Sequence, residues 1–249
     1  MQGSPLFTIL DRVDSTNNYA MAKVHAGLAS HGMAWLAREQ TAGRGQRGRH
    51  WESAPGQNIA MSMVVNPLLL GGQEPFYLSA LVALACCDLL EKYAGESIYV
   101  KWPNDLYWRD RKAAGILIEN KYRGQQWTHA VVGIGINVNQ ASFGDGLKNP
   151  VSLKNISGKE YDVEKIAREL HELLLIRIAA ADATSFAEKI GLYNKKLYKR
   201  NEWVYLEKEG ETLQVKIEGV NEKGRLQVSG ESRQEFDFGE VSWVGGDMS

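Results

Sequence analysis

The chain has 249 residues, a formal net charge of -1, 44% hydrophobic and 24% charged residues, which suits a globular protein with one sizeable core and a small second domain and supplies no overall basic field for nucleic acid. The longest apolar run, Ala80 to Cys87 with Leu89 and Leu90 beyond it, is broken by Asp88 and is too short to span a membrane. The opening residues lack the basic flank and cleavage site of a signal peptide, and the two cysteines, Cys86 and Cys87, are adjacent and unsuited to an ordinary disulfide, so a cytoplasmic location is expected.

Phe7 and Ile9, set among polar residues, mark a first strand. Asp14-Ser15-Thr16-Asn17 then offers N-cap side chains for a helix running to about Leu28. Met33 to Arg38 reads as a strand, followed by a Gly/Arg-rich segment from Thr41 to His50. Ile59, Met61, Met63 and Val65 alternate with smaller residues in a buried strand. Pro75 opens a helix to about Tyr93 that is apolar nearly all round and so belongs deep in the core. Ile98, Val100 and Trp102 share one strand face, with Tyr99 and Lys101 on the other. A strand ending at Tyr107 or Trp108 turns through Arg109-Asp110-Arg111 into a partner from Lys112 to Asn120. Val132, Ile134, Ile136 and Val138 line one face of a further strand, leaving Gly133, Gly135 and Asn137 on the other, with room either for a ligand against the backbone or for a packed neighbour.

Val163, Ile166, Leu170, Leu173 and Leu174 define an amphipathic helix, and a second spans about Ser185 to Tyr198. From Trp203 to Val244, short alternating runs separated by glycine-containing turns read as a small all-β barrel docked on the larger domain.

Gly43-Arg44-Gly45-Gln46-Arg47-Gly48-Arg49 sets three glycines and three arginines in seven residues. Glycines let successive backbone N–H groups converge on an anion, and arginines add planar, permanently charged donors. The Lys-Ser/Thr pair of a phosphate loop is missing, and the next regular element is a strand rather than the helix of a dinucleotide fingerprint. The same composition also reads as a solvated surface loop or, more weakly, as an RNA contact. Val100-Lys101-Trp102-Pro103-Asn104-Asp105 brings a lysine to a strand end, then an amide and a carboxylate into what taken alone is a plain turn. Lys112 opens the next strand, and two ammonium groups aimed at one place need an anion between them. His25, His31, His50, His129 and His171 are scattered without metal-ligand spacing, Cys86 and Cys87 read as core thiols, and no serine lies in a Gly-x-Ser-x-Gly setting.

In order and spacing, five segments resemble the biotin protein ligases: Asp14-Ser15-Thr16-Asn17; Gln40 with Ala42 to Arg49 and Trp51; Lys101-Trp-Pro-Asn-Asp105; Arg111-Lys112-x-Ala-Gly-Ile116; and Gly133-Ile-Gly-Ile-Asn137. The likeness covers about residues 7 to 140, and the β-rich tail resembles that family's small C-terminal domain. It implies an α+β fold: a mixed-sheet catalytic domain over residues 1–198, related to class II aminoacyl-tRNA synthetases, and an SH3-like barrel over residues 199–249.

Carried over by motif, the resemblance implies that Ser15, Thr16, Asn17 and Gln40 meet the biotin head group. Arg44, Gly45, Gln46, Lys112 and Gly115 would complete the biotin site toward its carboxyl end, and Lys101, Asp105, Lys112 and Arg44 would be catalytic. Arg44, Arg47, Arg49, Trp51, Lys101 and Asn137 would bind ATP or the adenylate. It implies ATP with Mg²⁺, whose protein ligands stay open, and a biotin carboxyl carrier domain as partner. No DNA partner is expected, because the first catalytic strand begins near Leu6, where many relatives carry a helix-turn-helix domain; a homodimer through the catalytic sheet is allowed. Some relatives place arginine where Gln46 stands, and glutamine offers hydrogen bonds there without charge. A lipoate or octanoate ligase and a non-catalytic biotin sensor are the competing readings.

Overall fold

The computed structural model describes residues 6–71, 74–144, 149–181, 186–230 and 234–244. Seven strands form the larger sheet: β1 (Phe7–Val13), β2 (Ala34–Gln40), β3 (Ile59–Val65), β4 (Ile98–Lys101), β5 (Asp105–Trp108), β6 (Arg111–Arg123) and β7 (Gln126–Ile136). Their spatial order is β1-β2-β3-β7-β6-β5-β4. Only β1 and β2 pair in parallel, so the sheet is mixed.

The two faces of this sheet are unequally covered. Met61, Met63, Val132, Ile134 and Ile116 point into the main core, against helices α2 (Pro75–Ala94) and α4 (Val163–Ala179). α2 starts with Pro at its first turn and buries twelve side chains, including Cys86 and Cys87. Burying its apolar surface on nearly every side makes it the centre of the domain. On the opposite face, α1 (Thr16–His25) covers only a small cluster of Ala20, Val24, Trp35, Val64 and Val131. The rest of that face is left to polar and glycine positions, and there the site lies.

The remaining helices are α3 (Leu153–Ser157) and α5 (Phe186–Lys195). Periodicity could not reveal α3, which is shorter than two turns and is held by a capping box between Ser152 and Asn155. α1 ends at His25 rather than near Leu28, since Gly27 takes a left-handed conformation (φ 69°) and Leu28 is exposed. β6 and β7 extend well beyond the expected ends as a long hairpin turning at Gly124, because ladder hydrogen bonds continue where the apolar alternation has stopped. α5 ends at Lys195, short of Tyr198; the expected start at Ser185 lies outside the described residues.

A second, antiparallel sheet of five strands follows: β8 (Trp203–Lys208), β9 (Glu211–Val220), β10 (Leu226–Ser229), β11 (Gln234–Phe236) and β12 (Ser242–Trp243), in the order β11-β10-β9-β8-β12. It is tied to the first by Trp102 Nε1 donating to the Gly224 carbonyl (2.9 Å) and Trp243 Nε1 donating to the Trp102 carbonyl (3.2 Å). No described helix is long and apolar enough to cross a membrane.

Candidate active site

The first turn of α1 is buried, with Ser15, Thr16 and Asn17 each under 5% exposed. Ser15 makes no side-chain cap; instead Gln40 Oε1, from the end of β2, accepts from Thr16 N–H (2.8 Å) and the Thr16 hydroxyl (3.1 Å). That satisfies one of the orphan donors of the helix start. The fully buried Ser62 hydroxyl on β3 lies 2.7 Å from Thr16 Oγ1 and 2.6 Å from Asn17 Oδ1. Asn17 Nδ2 donates to Glu119 Oε2 (2.9 Å) and to the Leu117 carbonyl (3.3 Å) on β6. Gly133 on β7 makes room for this amide: a Cβ there would stand 2.1 Å from Asn17 Oδ1.

The Gly/Arg segment is a stapled hairpin. Gly45 N–H donates to the Arg49 carbonyl (2.7 Å) and Trp51 N–H to the Gly43 carbonyl (3.0 Å). A 3-10 turn, Gln46–Gly48, closes it, with Arg47 and Gly48 at positive φ. Its arginines do not converge on one point. Arg44 grips Glu119 with both terminal nitrogens (2.8 and 3.0 Å) and donates to Asn18 Oδ1 (2.8 Å). Arg47 lies 5.9 Å from the centroid of the Phe238 ring in the second sheet, and Arg49 is near enough to Tyr107 to act on it electrostatically.

Beyond Asn17, the open face is covered by the Trp51 indole. It packs on Gly115 and Gly135, where a Cβ on Gly135 would stand 2.3 Å from the ring. The glycine positions of β7 thus accommodate two of the chain's own side chains. Trp51 Nε1 and Gln46 Oε1 are buried without a hydrogen-bond partner among the described residues. Buried polar atoms are rarely left so, and here two lie in one loop. A cavity of about 230 Å³ beside the loop is lined by Gln46, Trp102, Asn104, Ile118 and Phe238, among others. A larger one, about 340 Å³, opens near His31, Trp127 and His129 and shares no residue with this network.

Strand register aligns the remaining residues. Lys101 pairs with Asp105, Asp105 with Gly115, and Gly115 with Gly135, so all four lie in one row across the open face. Lys101 and Lys112 are not on neighbouring strands, since β5 runs between β4 and β6. The carboxylate that pairs with Lys112 is the chain's own: Lys112 Nζ lies 2.7 Å from Asp105 Oδ1. The Lys101 ammonium leans toward three rings, 4.6 Å from the Tyr107 centroid, 5.5 Å from Tyr198 and 5.1 Å from Trp243, and donates to Tyr107 Oη (3.3 Å). Burial, and after it the Asp105 carboxylate, pushes the Tyr107 phenol well up, so it stands as a neutral hydroxyl.

Asn104 lies in the turn between β4 and β5 and ties it to β6: its carbonyl accepts from Ile116 N–H and its Nδ2 donates to the Ile116 carbonyl (2.9 Å each). Asn137 Nδ2 donates to the Lys112 (3.3 Å) and Val151 (3.2 Å) carbonyls and so props the β6 terminus. Sequence reasoning missed Ser62, Glu119, Tyr198 and Trp243 as site neighbours. Among the described residues, no group of three His, Cys, Asp or Glu is placed to hold a metal.

Residues 9–137 match the biotin/lipoate A/B protein ligase family. The chain is 39% identical over 130 residues to the bifunctional ligase/repressor BirA of Escherichia coli, an alignment that takes in 52% of this chain and 40% of that protein. It is 33% identical over 245 residues to the biotin--[acetyl-CoA-carboxylase] ligase of Paracoccus denitrificans, covering 95% of this chain and all of that one. Among solved structures, the biotin protein ligase from Aquifex aeolicus in complex with biotin and ATP superposes with a TM-score of 0.79 at 28% identity, over 95% of this chain and 97% of that one. The chain belongs to the biotin/lipoate A/B protein ligase family.

Proposed function

We propose that the chain is a biotin–protein ligase, condensing biotin with ATP to biotinyl-5'-AMP and pyrophosphate, then passing the biotinyl group to a lysine of a biotin carboxyl carrier domain. The observation that carries this reading is the continuous polar path from Gln40 through Thr16, Ser62, Asn17 and Glu119 to Arg44. A ureido ring, with two N–H donors and a carbonyl, can exchange hydrogen bonds with such a floor, whereas the alkyl chain of lipoate or octanoate offers it none. A thiol-acyl route has no support, since both cysteines are buried in α2 and burial pushes Cys86 up to about 12.

The substrate carboxylate is itself the nucleophile, so the first step needs positioning and positive charge rather than a covalent side chain. Lys101, Lys112 and the loop arginines supply that charge around the Asp105–Gly115–Gly135 row. ATP enters as its Mg²⁺ complex; the site carboxylates Asp105 and Glu119 are paired with Lys112 and Arg44, which fits an ion held chiefly by phosphates and water. Trp51 and the Gly/Arg hairpin shield the hydrolysable adenylate, and Asp105 receives the acceptor amine in the second step. Residues 1–198 act as the catalytic domain and 199–249 as an SH3-like domain, in a reducing cytoplasm that suits two free thiols.

The test is pyrophosphate exchange with biotin, lipoate or octanoate, followed by label transfer to a carrier domain. Exchange with biotin and transfer to lysine are expected. Exchange with lipoate alone would reassign the substrate, and exchange with none of the acids would leave a sensor.

A further inference from the structure

We propose that Glu119 is a positioning residue of this site, coupling the biotin-side floor to the Gly/Arg loop. The inference rests on the ligase reading above. One carboxylate is shared by the floor amide of Asn17 and the loop guanidinium of Arg44. Its Oε2 accepts from Asn17 Nδ2 (2.9 Å) and Arg44 Nη1 (3.0 Å), while Oε1 faces Arg44 Nη2 (2.8 Å). Arg44 Nη1 also reaches Asn18 Oδ1 (2.8 Å), so the guanidinium spans from the start of α1 to β6.

Two consequences follow from the geometry. First, Glu119 fixes the orientation of the Asn17 amide. With Nδ2 donating to Glu119 and the Leu117 carbonyl, Oδ1 must face Ser62, and the floor presents one hydrogen-bonding pattern to a ligand. Second, the fork of Arg44 is held by a matching pair of carboxylate oxygens, the arrangement that sets guanidinium direction most firmly. The stem of the loop is therefore anchored to the same atom that orders the floor. The Glu119 side chain is 25% exposed and that of Arg44 43%, so the pair acts through geometry more than through a large Coulomb energy.

The experiment measures biotin-dependent pyrophosphate exchange for the wild type, Glu119→Gln, Arg44→Gln and the double variant, with thermal denaturation of each. Glutamine keeps an acceptor for Asn17 but abolishes the charge-assisted fork. The expected result is a rise of about tenfold in the KM for biotin in Glu119→Gln, with the KM for ATP within about twofold of wild type. In the Arg44→Gln background, Glu119→Gln is expected to add less than about twofold, because the pair is already broken. A wild-type biotin KM in Glu119→Gln, or effects of the two substitutions that multiply, overturns the proposal. If Glu119→Gln proves unfolded, Glu119→Asp decides, since the shorter carboxylate keeps the charge but cannot span both partners: a raised biotin KM with the KM for ATP within about twofold of wild type supports the positioning role, and a wild-type biotin KM overturns it. Absence of exchange in the wild type with any acid is a different outcome, which overturns the ligase reading itself.

Discussion

The Lys101 ammonium stands 5.1 Å from the centroid of the Trp243 ring, so a residue of the second sheet touches a residue in the central row of the candidate site. Tyr107 and Tyr198 complete the aromatic surround, and Tyr198 is itself fixed by donating to Asp110 Oδ1 (2.6 Å). Ring faces hold a cation with about 0.5–2 kcal/mol each, according to how far it is desolvated. Trp243→Ala is therefore expected to lower kcat for pyrophosphate exchange about fivefold, with little change in the KM for biotin. Trp243→Phe, which keeps a π face, recovers most of it. An equal loss in both variants would assign the effect to the lost hydrogen bond from Trp243 to Trp102.

Gly135 and Trp51 make a second separable pair. An alanine Cβ at 135 would fall 2.3 Å from the indole, closer than any real contact, and the ring must shift. Overpacking of this kind costs roughly 1–3 kcal/mol. Gly135→Ala is expected to lower the denaturation midpoint and raise the KM for ATP. In a Trp51→Ala background, the same substitution is expected to be tolerated in the midpoint. Equal destabilisation in both backgrounds, measured by urea titration, would show that the glycine is required for the strand itself.

The parts of this architecture that repeat at short range could be read in the sequence. Ile59 to Val65 and Val132 to Ile136 alternate with period two, and Pro75 to Ala94 is apolar round the helix, so these elements and their burial followed from pattern alone. Pairing at a distance could not be read that way. Ser62 resembles any small residue tolerated in a buried strand until β3 is placed beside β7 under Thr16 and Asn17. Glu119, near the end of an apolar run, resembles a solvated strand end; its partners Asn17 and Arg44 lie 102 and 75 residues away in the chain. That a strand separates Lys101 from Lys112 could not be read either, since β5 lies between β4 and β6 and supplies the Asp105 carboxylate that meets Lys112.

Acid stability offers a test away from the site. Burial, and next the neighbouring His171, holds the His31 pKa below its ordinary value, and Nδ1 accepts, at 3.5 Å, from Asn66 N–H. A histidine with a folded pKa below its unfolded value binds more protons when unfolded, so its stabilising contribution is present above pH about 6.5 and is lost as pH falls through the folded value. The melting temperature is expected to fall between pH 7 and pH 5, and His31→Asn, which retains an acceptor without a titration, to fall less steeply. Parallel slopes in calorimetry would place the acid sensitivity elsewhere.

Asp105 has two candidate duties, and they can be separated. It pairs with Lys112 at 2.7 Å, and it lies in the row between Lys101 and Gly115, where an incoming amine would approach an adenylate on the open face. Asp105→Asn preserves the shape and one acceptor oxygen while removing the charge. If the carboxylate receives the amine, transfer from preformed biotinyl-AMP to a carrier domain slows by at least about tenfold. The partly exposed pair with Lys112 contributes little to stability, so the melting temperature moves by only a few degrees. If Asp105 only supports Lys112, adenylate formation falls while single-turnover transfer keeps its wild-type rate. Measuring both half-reactions on one preparation decides between the two, because a fall in transfer alone requires the carboxylate to act after pyrophosphate has left.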